Sequence, residues 1–577
     1  MRLRPRFAPY CLLIVLSIPP FVASAQMDMS QHVMEMKDEM PPGQLPAPRK
    51  MTGIGNVHLR ITANREAQMW FNQGLNLLHD FWDYESARAF EQGIRADPQC
   101  AMCYWGLYKA EAFYHSIAQG YAHQALDQAV ALEHHVSKRE RLYIQAAAAH
   151  LNASKKAGAP SEADILRRLV KKYPRESEAR IALAGAVGHD ESVALLRSVL
   201  KQDPNNSAAN HLYIHALEAT DHPEQALHSA EILPSLAPSS GHMVHMPGHI
   251  FFRIGDYARA EHAFAASMQV DERYMRDQHV YPDNDWNYVH NLMYAVANLM
   301  EEGKLEEASN LSAKLTGARG EFESTLYVYS VRDSISRLNP RLPVALRMAD
   351  WPQVIALLSA ATVPAGRPNL EFLAQQLTRF AAAMQAVESH DLAKAQELSS
   401  DLDRASRTSP STHAPAVKPP SAPPQLQVMP DALLPPILNT LSIMSLELKA
   451  CILTAGGNVD KAKALFATAA QQEKALGYHE PPSYIRPVGE TEGAAMLEAG
   501  DWADAKAAYQ QALRERPCSG LDLYGIALAC EKSGDATDAA KEYSDFLAAW
   551  KDADPNLNQL THAKMYLATH PIVAAGA

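Results

Sequence analysis

Small and apolar residues recur along this chain at the three-to-four-residue spacing of helix faces, and the pattern then returns 34 residues later. Near the C-terminal end, Gly493, Gly500, Trp502, Ala505, Tyr509, Ala512 and Pro517 form one unit, and Ala527, Gly534, Ala539 and Tyr543 follow one period on. Similar units carry Trp70, Gly74, Leu77, Phe90, Gly93 and Pro98; Gly248, Phe251, Gly255, Tyr257, Ala260 and Phe264; and Gly457, Val459, Ala462, Phe466 and Ala469. Each unit predicts two helices that cross at a small residue, hold an aromatic between them and end at a proline or glycine. Such a pair has an apolar face it cannot bury alone, so successive pairs stack.

This unit resembles the tetratricopeptide repeat, over roughly residues 65–550. The resemblance implies an all-α fold, an α-solenoid of helix pairs whose first helices line a concave face. Thr408-Ser409-Pro410, Lys418-Pro419-Pro420 and Ala422-Pro423-Pro424 mark a Pro/Ser-rich linker at 406–436. It divides an N-terminal array (65–405) from a C-terminal array (437–577). The segment from Phe113 to Asn152 reads as helical but off-period, and Asp271 to Asp285 reads as an inserted loop.

The N-terminus reads as an address. Arg2, Arg4 and Arg6 precede an apolar run from Cys11 to Ile18 and the small residues Ala23-Ser24-Ala25, which predicts a signal peptide over 1–25. A retained anchor is the alternative. No later stretch of 18 uninterrupted apolar residues predicts a membrane span. The expected destination is the periplasm or the medium. Residues 26–64 read as a disordered leader, in which Met27, Met29, Met34, Met36 and Met40 surround His32. Thioether and imidazole donors suit Cu(I); a solvated leader without a ligand is the other reading.

Composition narrows the function classes. Hydrophobic residues are 47% and charged residues 20% of the 577, an ordinary globular balance. The net charge of -12 moves to -15 once a leader with three arginines and no acid is removed. That argues against nucleic acid as a partner. Cysteines are too few for a disulfide framework. Cys100 and Cys103 form a CxxC after Asp97-Pro98, open to a disulfide, a soft metal site or simple packing. P-loop, GxGxxG, GxSxG and HExxH motifs are absent. His479-Glu480 starts like a zinc-protease motif, but Pro481-Pro482 follow, so it reads as an entry loop, with closure of a groove as the alternative.

Histidine carries the specific signal. His211 and His215 are four apart, as are His245 and His249, and the two pairs are themselves 34 residues apart. Two slots of two successive first helices therefore hold His. Glu218 extends the first stripe, His242 extends the second, and His290 occupies the His242 slot of the next unit, judged by Gly303 and Ala308. First helices lie ~8–10 Å apart, so facing pairs can share an ion at bonds of ~2.0–2.1 Å. Imidazole donors fit Cu or Zn. A polar structural network and a ligand-binding cluster are the alternatives. Pro247 suggests that its helix starts near Met246, because proline inside a helix costs about 3 kcal/mol.

The runs His211–His215, His242–His249 and Asp285–Asn291 resemble a secreted bacterial branch of tetratricopeptide proteins. The resemblance implies a shared His-lined groove and no particular reaction. Two functions follow. One is a scaffold holding a protein or peptide in the groove, with a His-coordinated metal. The other is a metal-dependent enzyme using the same groove, with Asp283, Asp285 and Glu218 as candidate acid–base groups.

Overall fold

The computed structural model describes residues 47–111, 116–152, 159–282, 285–319, 331–407 and 433–571, with side chains of the second segment from 121 onward. The expected signal peptide over 1–25, the Met-rich residues to 46 and linker residues 408–432 lie outside the described residues. Every regular element among the described residues is helical, and successive helices pack as antiparallel pairs in an all-α repeat architecture.

The sequence pattern has a direct steric cause. Phe90, on helix Asp83–Ala96, fills space left by Gly74 on helix Arg65–His79 and Gly106 on helix Ala101–Glu111. A Cβ at either glycine would sit 2.8 or 2.2 Å from the ring. Tyr509 is held in the same way between Gly493 and Gly525. One aromatic thus locks its own pair and the next, which is why small and aromatic positions repeat together.

Three expectations are corrected. The leader does not extend to residue 64: Ile54, Val57, Leu59 and Ile61 are buried against the first helix pair. Side chains supply the backbone partners that this extended segment lacks, with Asn76 Oδ1 accepting from Val57 N at 2.8 Å and Gln68 Oε1 from Ile61 N at 2.8 Å. Residues 271–278 are not a loop but the end of helix Tyr257–Gln278, kept helical because Tyr274 and Met275 pack with Trp82 and Tyr288. The 406–436 linker is no break in packing. Helices Leu392–Arg407 and Leu434–Ala455 meet directly, through Ser445 Oγ and Lys449 Nζ on Asp403 at 2.6 and 2.7 Å, and one apolar core spans 331–529.

Helix Leu434–Ala455 is long and apolar enough to cross a membrane by length and composition, and 61% of its apolar window is buried among its neighbours. Cys100 and Cys103 are disulfide-bonded.

The C-terminal repeats close back onto the N-terminal ones at Glu301, the last residue of helix Trp286–Glu301. Arg347 Nη2, Arg516 Nη1 and Ser519 Oγ reach its carboxylate at 2.7, 2.8 and 2.7 Å, and Trp550 Nε1 donates to its carbonyl at 2.8 Å. Asp554 accepts from Leu305 N and Glu306 N at 2.9 Å each. This closure carries the loop around Glu480 over the helices 241–253 and 286–301.

Burial alone would raise the Glu301 carboxyl, but the guanidiniums of Arg347 and Arg516 outweigh it and hold it at about 2. A depressed carboxyl contributes stability above its unfolded value, which is lost as pH falls through the folded one. Glu301→Gln removes the carboxylate shared by the buried Arg516 and Arg347, of which Arg347 keeps Glu490, and should destabilise by about 3–5 kcal/mol at pH 7. In denaturant titrations that gap should narrow as pH falls from 4.5 toward 2; a gap independent of pH would refute the assignment.

Candidate metal centre

Three successive first helices form the site: Ser207–Glu218, Gly241–Arg253 and Trp286–Glu301. Each starts at a side-chain cap, Asn206 accepting from Ala209 N, Ser240 from Met243 N and Asp285 from Tyr288 N. The Ser240 cap corrects the expected helix start. The helix begins at Gly241, so His242 and His245 lie on it and Pro247 sits inside. Asp285 is a cap rather than an acid–base group, and Asp283 lies outside the described residues.

The histidine pairs meet tip to tip. His211 Nε2 lies 3.0 Å from His215 Nε2, and His245 Nε2 lies 2.6 Å from His249 Nε2. The rear nitrogens are committed to acceptors. His211 Nδ1 donates to the His79 carbonyl at 2.5 Å, and His245 Nδ1 to Asn291 Oδ1 at 2.6 Å. His242 Nδ1 donates to Asn287 Oδ1 at 3.1 Å. His215 Nδ1 and His249 Nδ1 take the two oxygens of Glu218, at 2.6 and 2.5 Å. Both asparagines are oriented in turn, since Asn287 Nδ2 donates to Asp271 Oδ2 at 2.7 Å and Asn291 Nδ2 to the Phe264 carbonyl at 2.8 Å.

A neutral ring with its proton on Nδ1 presents a bare lone pair at Nε2. His211, His242 and His245, whose Nδ1 faces a carbonyl or amide oxygen, are therefore set with lone pairs forward, and an ionised Glu218 sets His215 and His249 in the same way. Two such pairs pointing at each other repel unless a proton or cation lies between them. Nitrogens sharing a tetrahedral ion stand about 3.3 Å apart. Ligand atoms of His211, His215 and His242 lie within 4.8 Å of one another, as do those of His245, His249 and His290, and those of His215, Glu218 and Glu480. All seven residues singled out by sequence thus fall in one cluster.

The surroundings differ from a groove. His211, His245 and His249 are fully buried and His215 is 6% exposed, so the expectation of an open His-lined groove is corrected. The Phe81 ring stands 4.7 Å from His211 and 5.2 Å from His215, Trp286 covers His242 at 4.8 Å, and Tyr294 covers His249 at 4.8 Å. Glu480 comes from the closing loop, with Oε2 at 3.6 Å from His249 Nδ1 and 3.7 Å from His290 Nε2. Phe81 itself has φ +55°, uncommon for a bulky residue and costing on the order of 1–3 kcal/mol. Burial pushes the His215 imidazole down to about 4, against the pull of Glu480, and that of His245 to about 3. It pushes the Glu218 carboxyl up to about 8 and that of Glu480 well above the carboxylate range.

Sequence reasoning missed Phe81, Asn287, Asn291 and the His79 carbonyl. Asn287 lies three before His290 and four before Asn291, so each pair shares a helical stripe, and that spacing was the available signal.

No family model and no curated protein matches the chain. Among solved structures, it is similar to yeast Tom70 at 12% identity over 87% of this chain and 96% of that one, with TM-score 0.29. A human IFIT1 dimer with PPP-AAAA gives 12% identity over 85% and 96%, with TM-score 0.34. Naa15/Naa10 bound to HypK-THB gives 12% over 88% and 67%, with TM-score 0.26.

Asn291→Leu removes both the acceptor of His245 Nδ1–H and the donor to Phe264. It should cost about 1–3 kcal/mol in thermal or denaturant unfolding. A loss below about 0.5 kcal/mol, the range of neutral surface changes, would contradict the fixed ring orientation.

Proposed function

We propose that this chain is an exported helical-repeat protein built around a His-coordinated transition-metal centre of the reactive kind, with Cu or Zn as the ion. The facing Nε2 atoms carry the reading, because each has its Nδ1 committed to an oriented acceptor. Metal-bound histidines have this second layer, which fixes the tautomer and the ring angle. A three-imidazole set also matches reactive sites, where three protein ligands leave one position open; structural zinc sites fill all four. An ion at such a position acts as a Lewis acid, a source of activated water or an electron carrier.

Export rests on the N-terminal basic, apolar and small-residue run, and the Cys100–Cys103 disulfide supports an oxidising compartment. The peptide-scaffold role loses its motive at the histidines, because a buried wall offers no track to a bound segment. A protein partner belongs on the remaining repeat surface, and the net charge of -12 favours a partner other than nucleic acid.

The test is elemental analysis of protein purified without chelator and without a metal-affinity tag. At least one equivalent of copper or zinc per chain is expected. His215→Ala with His249→Ala should abolish it while far-ultraviolet circular dichroism stays helical. Wild-type protein that neither contains nor takes up either metal would overturn the reading.

A further inference from the structure

We infer that the wall holds two copper(I) ions, one per set of three histidines, and that the pair takes up dioxygen. This rests on the metal-centre reading above and adds the number of ions, their charge and the reactant.

The number follows from how the rings sort. His211, His215 and His242 form one set, His245, His249 and His290 the other, and no residue belongs to both. Each set contains an i,i+4 pair with Nε2 atoms already converging. Between sets the rings stand farther apart, His215 to His249 at 6.1 Å and His242 to His245 at 5.9 Å between centroids. Six imidazoles also exceed the three or four donors that one such ion takes, so two sets of three serve two ions. Glu218 stands between the sets, one oxygen behind His215 and the other behind His249, and so couples them.

The charge follows from the anions in contact. Imidazole ligands are neutral, and among the described residues the carboxylates of Glu218 and Glu480 lie within 4 Å of ring nitrogens in both sets. Arg253 adds positive charge alongside, with Nε on the Glu218 carbonyl at 2.9 Å. Two divalent ions would bring four positive charges against at most two negative ones, in a site where uncompensated charge is strongly disfavoured. Two monovalent ions halve that positive charge and leave far less of it uncompensated. Among metals suited to imidazole, copper supplies a stable monovalent state, and three donors suffice for it.

The reactant follows from access and charge together. Rings this deeply buried admit a diatomic gas more readily than a folded or charged substrate. Dioxygen takes one electron from each copper(I), which leaves two copper(II) ions and dioxygen reduced to the peroxide level. The dianion adds two negative charges as the metals gain two positive ones, so uptake leaves the net charge of the buried site unchanged. No other reactant is needed for this single uptake.

The experiment titrates the full chain with copper(I) under nitrogen against a chromogenic chelator, with zinc sulfate in parallel, then admits air-saturated buffer in an oxygen electrode. Two copper(I) per chain are expected, with zinc at least tenfold weaker at the second equivalent, and one dioxygen consumed per two coppers. His242→Ala and His290→Ala should each leave about one copper and most of the oxygen uptake should disappear; His242→Gln and His290→Gln repeat this with a polar side chain should an alanine variant misfold. A single copper per chain, lost in Glu480→Gln, would place one ion at His215, Glu218 and Glu480 and overturn the pair. Two zinc ions bound as tightly, or two copper(I) without oxygen uptake, would overturn it as well. Wild-type chain that takes up neither metal would remove the metal-centre reading along with it.

Discussion

Each imidazole in the wall has two nitrogens, and committing one determines what the other can do. The His79 carbonyl, the Asn287 and Asn291 side chains and the two oxygens of Glu218 each accept one Nδ1 hydrogen. The opposite nitrogens then act as acceptors, and within each i,i+4 pair they face one another across a shared space. That space is stable only when something electron-poor occupies it. The buried position strengthens the argument, since low polarity raises the cost of facing lone pairs and excludes water that would otherwise relieve it.

The repeat architecture makes this commitment possible. Identical slots on stacked helices lie side by side, so a duplicated His-x-x-x-His becomes two facing pairs. Aromatic-to-glycine contacts hold the helices at a fixed approach; Phe264 beside Gly248, where a Cβ would sit 2.2 Å from the ring, does this within the site. The closure at Glu301 then brings residues 478–482 across from the other end of the chain, with Arg332 Nε donating to the Pro482 carbonyl at 2.9 Å. Site and closure depend on each other. A rigid ring of repeats keeps the roof in place, and the roof keeps the histidines dry.

Much of this was legible from periodicity. The 34-residue spacing predicted the helix pairs, and the same spacing applied to His211, His215, His245 and His249 predicted their convergence. His242 and His290 followed from the same slots. What periodicity could not show was anything dependent on long-range closure or on side-chain orientation. Glu480 is 190 residues from His290, and its neighbouring prolines read locally as a loop. Asn287 and Asn291 are ordinary helix residues until their amides are seen held by Asp271 and Phe264. The groove became an interior because Phe81, Trp286 and Tyr294 fold over the rings, and no spacing rule distinguishes a lid from a core aromatic. Pro247 misplaced a helix start because the Ser240 cap begins the helix at Gly241, five residues before the Met246 that the proline suggests.

The most direct test is crystallographic. Diffraction from copper-loaded crystals, recorded just above and just below the copper absorption edge, locates the metal without assumption. The account predicts anomalous peaks within about 2.0–2.1 Å of the Nε2 atoms of His211 and His215, and of His245 and His249. A copper-soaked crystal with no anomalous peak at the wall, and with the facing nitrogens joined through water or a shared proton, would contradict it.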